Sequence, residues 1–318
     1  MPRIVVIGAL VYDLVFDVSD WVQPNRAVHA CGLTISPGGK GLNQAAAASL
    51  LGAEEVRLVG CVGDDIFGAE MVAALQEAGI DTAHIHVHPD ARTSIAAIIV
   101  REQLPGFIGA PDASRRVSKS QIRAALADLR PGDVLLVGFE VPQPLVAYAL
   151  RLGRAAGAST VVNPAPFFTR DNFVIDYLPL VDLLIPNKLE AQLLMDGESD
   201  DVEQLGCGLL HQGVGRVLLT LGEAGSVLYE PGGKIVQPAF PVEAVDTTGA
   251  SDAFAGAFCL GLARGWGSTQ SLAFASAAAG LTCAKPGTMT ALPARSEVDG
   301  LLANAQLDLS ARVLDCME

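Results

Sequence analysis

The chain is expected to be an α/β domain built on a mostly parallel sheet. Short runs of β-branched residues recur along it, and stretches of helical periodicity, often ending near glycine, lie between them. No Ser-rich or Pro-rich linker, low-complexity tract or internal repeat divides the 318 residues, so one large domain over 1–318 is expected.

Taken in order, Ile4 to Ile7 is a β-branched run that stops at Gly8 and is expected to be the first strand. Similar runs at 95–100, 134–137, 160–162, 183–185 and 217–220 are apolar without alternation, as strands covered on both faces are. Helices are expected over 44–51, 68–78, 120–129, 144–155, 189–194 and 202–211, with a further apolar helix starting near Asp252. Segments 15–35 and 92–110 fit the alternation poorly and are read either as a small accessory sheet or as irregular connections. In an open parallel sheet ligands sit beyond the carboxyl ends of the strands, so the residues just after these runs are the ones to search for chemistry.

Charge and hydropathy exclude several classes of function. Lys and Arg total 21 against 35 Asp and Glu, a net charge of −14, which is the wrong sign for binding a phosphate backbone, and nucleic acid is not expected as a partner. A mean hydropathy of +0.38 calls for a search for a membrane span. The longest uncharged stretch, 265–284, is mostly Ala and Gly with Ser, Thr and Gln, and is expected to be a buried small-residue helix; no membrane association is expected. The N-terminus lacks a small-residue cleavage site after its short apolar run and does not read as a signal peptide. Cys31, Cys61, Cys207, Cys259, Cys283 and Cys316 include no close pair, which suggests reduced thiols in a cytoplasm rather than a metal knuckle or redox dithiol.

Two glycine-containing turns carry the main chemical signals. In the stretch from Ala244 to Gly256, the small residues Thr248, Gly249, Ala250 and Ser251 lead into the helix that bears Asp252. Backbone N–H groups at such a helix start, aided by the helix dipole, can hold a phosphate, and Asp252 would face that anion; alternatively, Asp252 or Ser251 is an ordinary N-cap. The second turn, Pro37-Gly-Gly-Lys-Gly-Leu-Asn-Gln, opens another helix but lacks the GxxxxGK[ST] of a phosphate-binding P-loop. Gly38, Gly39 and Gly41 would allow close approach of a ligand while Lys40 and Asn43 offer donors; alternatively it is a tight turn with a solvated lysine. Asn163-Pro-Ala-Pro, Pro186-Asn-Lys-Leu-Glu and the turn bearing Thr220, Gly222 and Gly225 each follow a strand run, as do the carboxylates Asp13 and Glu140. His84, His86 and His88 alternate, so on a strand they would share a face, either as a metal site or as an exposed polar edge. No Gly-x-Ser-x-Gly elbow or HExxH is present to support a hydrolase.

These motifs, in this order and over nearly the whole chain, resemble the ribokinase (PfkB-type) family of small-molecule kinases, whose two signatures look like 37–48 and 245–256. The resemblance implies a three-layer α/β/α domain with a small β lid made of segments of about 14–36 and 91–110, and a homodimer formed through that lid. It implies ATP-dependent phosphorylation of a sugar primary hydroxyl, in the first place D-ribose to ribose 5-phosphate, in the cytoplasm. Asp252 resembles the family's general base, and the amides of Gly249, Ala250, Ser251 and Asp252 resemble its anion hole. Asp13, Gly39, Lys40, Asn43 and Glu140 match the sugar-binding positions. Asn187, Thr220, Gly222, Gly225 and Ser276 match the nucleotide positions, with Glu190 acting on Mg²⁺ through water. Asp246, Thr248, Thr282, Lys285, Gly287 and Ala291 match a loop that holds a monovalent cation such as K⁺. Where the family's ribose site has Asn-x-Asp after the first strand, this chain has Val11-Tyr12-Asp13, and Tyr12 beside the site would suit stacking on a ring. That departure keeps open a nucleoside, fructose or a 2-keto-3-deoxy sugar acid as substrate, and more remotely a non-catalytic nucleotide-binding regulator.

Overall fold

The computed structural model describes residues 2–102, 104–165, 175–197, 199–304 and 313–314. Its main sheet has ten strands: β1 (Ile4–Ile7), β4 (Val56–Gly63), β5 (Asp81–His88), β8 (Val134–Gly138), β9 (Ser159–Asn163), β10 (Leu183–Leu184), β11 (Val217–Thr220), β12 (Ser226–Glu230), β13 (Gly233–Gln237) and β14 (Val313–Leu314). They run in the order β14-β13-β12-β11-β10-β9-β8-β1-β4-β5. From β11 to β5 every pairing is parallel, and the three strands beyond β11 are antiparallel.

Successive residues of the central strands face opposite layers, which is why their sequence is apolar without alternation. Val6, Leu58 and Leu136 belong to one core with α1 (Lys40–Leu50), α2 (Ile66–Glu77), α7 (Ala250–Ala263), α8 (Ser268–Cys283) and α9 (Arg295–Asn304). Val5, Val59 and Leu135 belong to a second core with α3 (Lys119–Ala125), α4 (Gln143–Ala156), α5 (Lys188–Leu194) and α6 (Val202–His211). Each fully buried Val, Leu or Ile contributes about 1.5–3 kcal/mol, so the sheet is held from both sides.

A second sheet has the order β3-β2-β6-β7, from β2 (Val11–Val18), β3 (Ala30–Gly38), β6 (Ser94–Arg101) and β7 (Leu104–Ala110). The run 95–100 therefore lies in this small sheet and not among the fully buried strands, and β6 is accordingly only partly covered. Its neighbour β2 starts at Val11, so Asp13 lies within a strand rather than after one. Leu33, Ile35, Leu104, Phe107 and Ile108 of this sheet are exposed.

Other expectations shift for local reasons. Helix α1 starts four residues before the expected 44, because a distant carboxylate receives its first N–H groups. Helix α3 ends at Ala125 instead of 129; its start is held by a capping box between Ser118 and Gln121. Strand β4 was not foreseen, since Arg57 interrupts its apolar pattern, yet it is wholly buried because Arg57 is paired with Asp81 and Asp128 and donates to the Ala125 carbonyl. The small-residue stretch 265–284 folds as α8, and among the described residues no helix is long and apolar enough to cross a membrane. Cys31, Cys61, Cys207, Cys259 and Cys283 are free thiols; Cys316 lies outside the described residues, as does Pro166 of the Asn163-Pro-Ala-Pro motif.

Candidate active site

Helices α1 and α7 cross beside the carboxyl ends of β1, β8 and β9, and their first turns face each other. Lys40, Asn43 and Gln44 are spaced i, i+3, i+4 on α1 and so share one face. That face meets Asp252, which occupies the first turn of α7 and is 3 % exposed. Lys40 Nζ lies 3.4 Å from Asp252 Oδ1 and 3.3 Å from Ser251 Oγ. Gln44 Nε2 donates to Asp252 Oδ1 at 3.1 Å, and Asn43 Nδ2 donates to Asp252 Oδ2 at 3.2 Å. Burial would draw the Lys40 ammonium down, but Asp252, Glu140 and Glu190 around it carry its pKa above the ordinary value.

The N-cap of α7 is Gly249, in the left-handed region at φ 81°, so neither Asp252 nor Ser251 caps the helix and no side chain does. Within the turn the Ala250 N–H reaches Thr247 O at 3.3 Å and the Asp252 N–H reaches Gly249 O at 3.0 Å. Among the described residues the N–H groups of Gly249 and Ser251 have no partner, so two of the four expected anion-hole amides are free to donate. The glycine turn before α1 is different. Glu140 Oε2 accepts from Ala9 N at 2.8 Å and Gly41 N at 3.1 Å, and Glu140 Oε1 accepts from Lys40 N at 3.1 Å. Burial pushes the Glu140 carboxyl up to about 7, against the pull of these donors and Lys40.

Asp13 reaches the same region from β2; its side chain lies over Gly38, where a Cβ would collide with it. Burial, and then the charges of Glu140 and Asp252, push Asp13 up to about 7. Its neighbour Tyr12 points to the other face of the strand. There its ring packs on Phe67 at a centroid distance of 4.4 Å and its hydroxyl donates to Glu70, so Tyr12 is a core residue and not a stacking platform.

The loops after β10 and β11 close the other side. Asn187 Oδ1 accepts from Glu190 N at 2.8 Å and Glu190 Oε2 accepts from Asn187 N at 2.9 Å, a capping box that starts α5. Thr220 N donates to Pro186 O at 3.0 Å, joining the two loops. A cavity of about 40 Å³ gathers Lys40, Ser251, Asn163, Asn187, Glu190 and Thr220. A larger hollow of about 600 Å³, lined by Arg154, Asp182 and Arg216 among others, lies at the amino ends of β9 to β11 and contains no candidate residue. Gly222 and Gly225 form the turn after β11, but Gly225 packs on the backbone of 237–239, where Ser276 Oγ also donates to Pro238 O at 3.4 Å. Gly225 and Ser276 thus both meet the segment 237–239 rather than the Asp252 cluster.

Asp246 ties the remaining loop together. Its Oδ1 accepts from Thr248 N at 2.9 Å and its Oδ2 from Gly287 N at 3.0 Å, while Thr282 Oγ1 donates to Ala278 O at 2.9 Å and Lys285 Nζ pairs with Glu297. Ala291 N is bonded to Thr288 O, and Thr288 Oγ1 donates to Pro37 O at 3.3 Å, so this loop abuts the glycine turn of α1. With its carboxylate oxygens receiving N–H groups, Asp246 shapes the loop, and a cation held there would rest on backbone carbonyls. His84, His86 and His88 do lie on β5, but among the described residues no three His, Cys, Asp or Glu side chains form a metal-holding group. For Mg²⁺, Glu190 would offer a single contact through water, and phosphate oxygens would supply the rest of a shell.

The family model of the pfkB family carbohydrate kinases matches residues 1–295. This chain belongs to that family. The PfkB kinase is 31% identical over 304 residues to a ribokinase of Haemophilus influenzae, covering 94% of this chain and 98% of that one. A crystal structure of ribokinase from Thermotoga maritima superposes with a TM-score of 0.86 at 29% identity, covering 96% of this chain and all of that one. Arabidopsis thaliana ribokinase complexed with ribose and ATP gives a TM-score of 0.85 at 25% identity, over 95% and 98% of the two chains. The PfkB kinase is an ATP-dependent sugar kinase with the family's three-layer α/β fold. Gln44, a member of the cluster on Asp252, was not singled out in the sequence; its signal is the i+4 spacing from Lys40.

Proposed function

We propose that this kinase transfers the γ-phosphoryl group of ATP to the primary hydroxyl of D-ribose, giving ribose 5-phosphate. The observation that carries this reading is Asp252: a buried carboxylate held by three donors on the first turn of a helix whose N-terminus is left open. Asp252 takes the proton of the hydroxyl as the oxygen bonds to phosphorus and the bridging P–O bond of ATP breaks, releasing ADP. The N–H groups of Gly249 and Ser251, with the helix dipole and the Lys40 ammonium, face the charge on the transferring group, while Ala250 keeps the turn in shape. Asp13 and Asn43 are placed to hold sugar hydroxyls, with Gly39 at the turn before Lys40, and Glu140 acts by fixing the backbone of Lys40 and Gly41.

Asn187, Thr220 and Gly222 flank the nucleotide phosphates, with Gly225 and Ser276 supporting the segment 237–239 beside it. Glu190 would hold Mg²⁺ through water, and the ion would supply charge neutralisation to the phosphates there. A site for K⁺ is assigned to the loop of Asp246, Thr248, Thr282, Lys285, Gly287 and Ala291, where backbone carbonyls would hold the ion and the contact with Pro37 would let it steady the active site. The small sheet serves as the lid, and its exposed Leu33, Ile35, Phe107 and Ile108 suit a homodimer contact in a cytoplasmic enzyme. Tyr12 lends no support to a nucleoside, since its ring is engaged with Phe67.

An ADP-release assay with ATP and Mg²⁺, run with and without K⁺ on ribose, deoxyribose, fructose, ketodeoxygluconate and nucleosides, is expected to give ribose the highest kcat/KM. A preference for another acceptor overturns the substrate. Asp252→Asn is expected to lower kcat by about 10²–10⁴-fold with ATP affinity unchanged. Retained turnover in that variant removes the base assignment.

A further inference from the structure

Gln44 is 1 % exposed, wedged between α1 and α7, and its amide nitrogen has two oxygen neighbours: Asp252 Oδ1 at 3.1 Å and Asn163 Oδ1 at 3.0 Å. Asn163, 3 % exposed at the end of β9, has its own amide nitrogen 2.7 Å from the carbonyl of Ile185, at the end of β10. The orientation of both amides follows from chemistry. A backbone carbonyl only accepts, so Asn163 turns its NH₂ to Ile185 and its oxygen to Gln44. Gln44 then faces two acceptors and must turn its NH₂ to both, one hydrogen for Asn163 and one for Asp252. Among the described residues its oxygen is buried with no partner, a cost that a helix interface made only for packing would avoid with an apolar residue.

We infer that Gln44 is a positioning residue for Asp252, anchored through Asn163 to the main sheet, and that it selects the carboxylate oxygen that receives the proton. Asp252 Oδ1 accepts from Gln44 and from the Lys40 ammonium, whereas Oδ2 accepts only from the neutral Asn43 amide. Donors to the charged form lower the proton affinity of the oxygen they touch, so Oδ2 is the more basic of the two. A half-turn of the carboxylate only exchanges two equivalent oxygens, so what these donors fix is a position: the oxygen beside Asn43 is the one left with a single neutral donor. The other charged groups around Asp252 are Lys40 on α1, Asp13 on β2, Glu140 after β8 and Glu190 on α5, and none of them bonds to Gln44. The inference rests on Asp252 being the base.

The test is the pH profile of kcat at saturating sugar and ATP for Gln44→Met, Gln44→Glu and Asn163→Ala, with Asp252→Asn beside them. Loss of one donor to a carboxylate raises its pKa, so the acid limb of Gln44→Met is expected to move up by about one pH unit. Its kcat at the optimum is expected to fall about 10–100-fold, with the KM for ATP unchanged. Gln44→Glu keeps the shape and places a second carboxyl against Oδ1, so its acid limb should move further; Asn163→Ala should move it in the same direction but less. An acid limb that stays in place in all three variants, whatever happens to kcat, overturns the inference while leaving the base assignment intact, provided Asp252→Asn is inactive. An active Asp252→Asn overturns both.

Discussion

Helices α1 and α7 both begin at a glycine of positive φ, Gly39 at 92° and Gly249 at 81°, and neither has a side-chain cap from its own N-cap residue. Their electrostatic fates are opposite. The N-terminus of α1 is filled from within the protein: Glu140, about a hundred residues away, receives the N–H groups of Lys40 and Gly41. Among the described residues the N-terminus of α7 keeps two N–H groups without a partner, and it places a carboxylate, Asp252, in its first turn, tied to side chains of α1. One helix start is thereby neutralised and serves as scaffold, while the other keeps free donors, which under the proposed function face the transferring phosphoryl group. The glycine in each turn supplies the same backbone freedom; which turn keeps free N–H groups depends on whether the fold brings a carboxylate to accept them.

Perturbing the open end should have the larger effect. Gly249→Ala forces a Cβ into the left-handed region, at roughly 1–2 kcal/mol, and the backbone escapes by turning the peptides whose N–H groups are free. We expect kcat to fall about 10–100-fold, a substantial part of what one oxyanion donor contributes, while the KM for sugar changes little. An unaltered kcat would mean that the free amides at 249 and 251 do not face the transferring group.

At the closed end the effect is on stability and its pH dependence. Folding raises Glu140 from an ordinary value of 4.5 to about 7, so between these values the folded chain binds more protons than the unfolded one. The stabilisation linked to this proton is complete below about pH 4.5 and is lost as pH rises through about 7. Glu140→Gln removes the titration, and the decline of Tm from pH 5 to pH 8 is expected to flatten by about 2–4 °C, measured by thermal melts at fixed ionic strength. An unchanged slope would show that the carboxylate is not titrating in this window.

The smallest change belongs to Tyr12, close to the site in sequence but turned away from it. Tyr12→Phe loses the hydroxyl contact to Glu70, about 1 kcal/mol by denaturant unfolding, and leaves the relative kcat/KM for sugars and nucleosides as it was. A shift in acceptor preference would put the ring back in the binding site.

Much of this was legible in residue order. Ile4 to Ile7 and the runs in β8 to β11 announced buried parallel strands because both their faces are covered, and the small residues before Asp252 announced a helix start able to meet an anion. Strand β4 was hidden because Arg57 looks like a surface residue until its partners Asp81 and Asp128 are seen. The part of Gln44 was hidden for a related reason: an amide reads as neutral polar surface until both acceptors, Asn163 and Asp252, are brought to it.

Local spacing thus suffices to place Lys40, Asn43 and Gln44 on one helical face, to leave α7 without a bulky cap, and to mark Asp252 as the carboxylate behind that turn. Residue order could not say that Glu140 would close one glycine turn and leave the other open, that Tyr12 would turn from the site, or which way the Gln44 amide would face. Each of those depends on hydrogen-bond partners some 60 to 210 positions apart, and a donor's orientation is set by whichever acceptor the packed sheet and helices bring within about 3 Å.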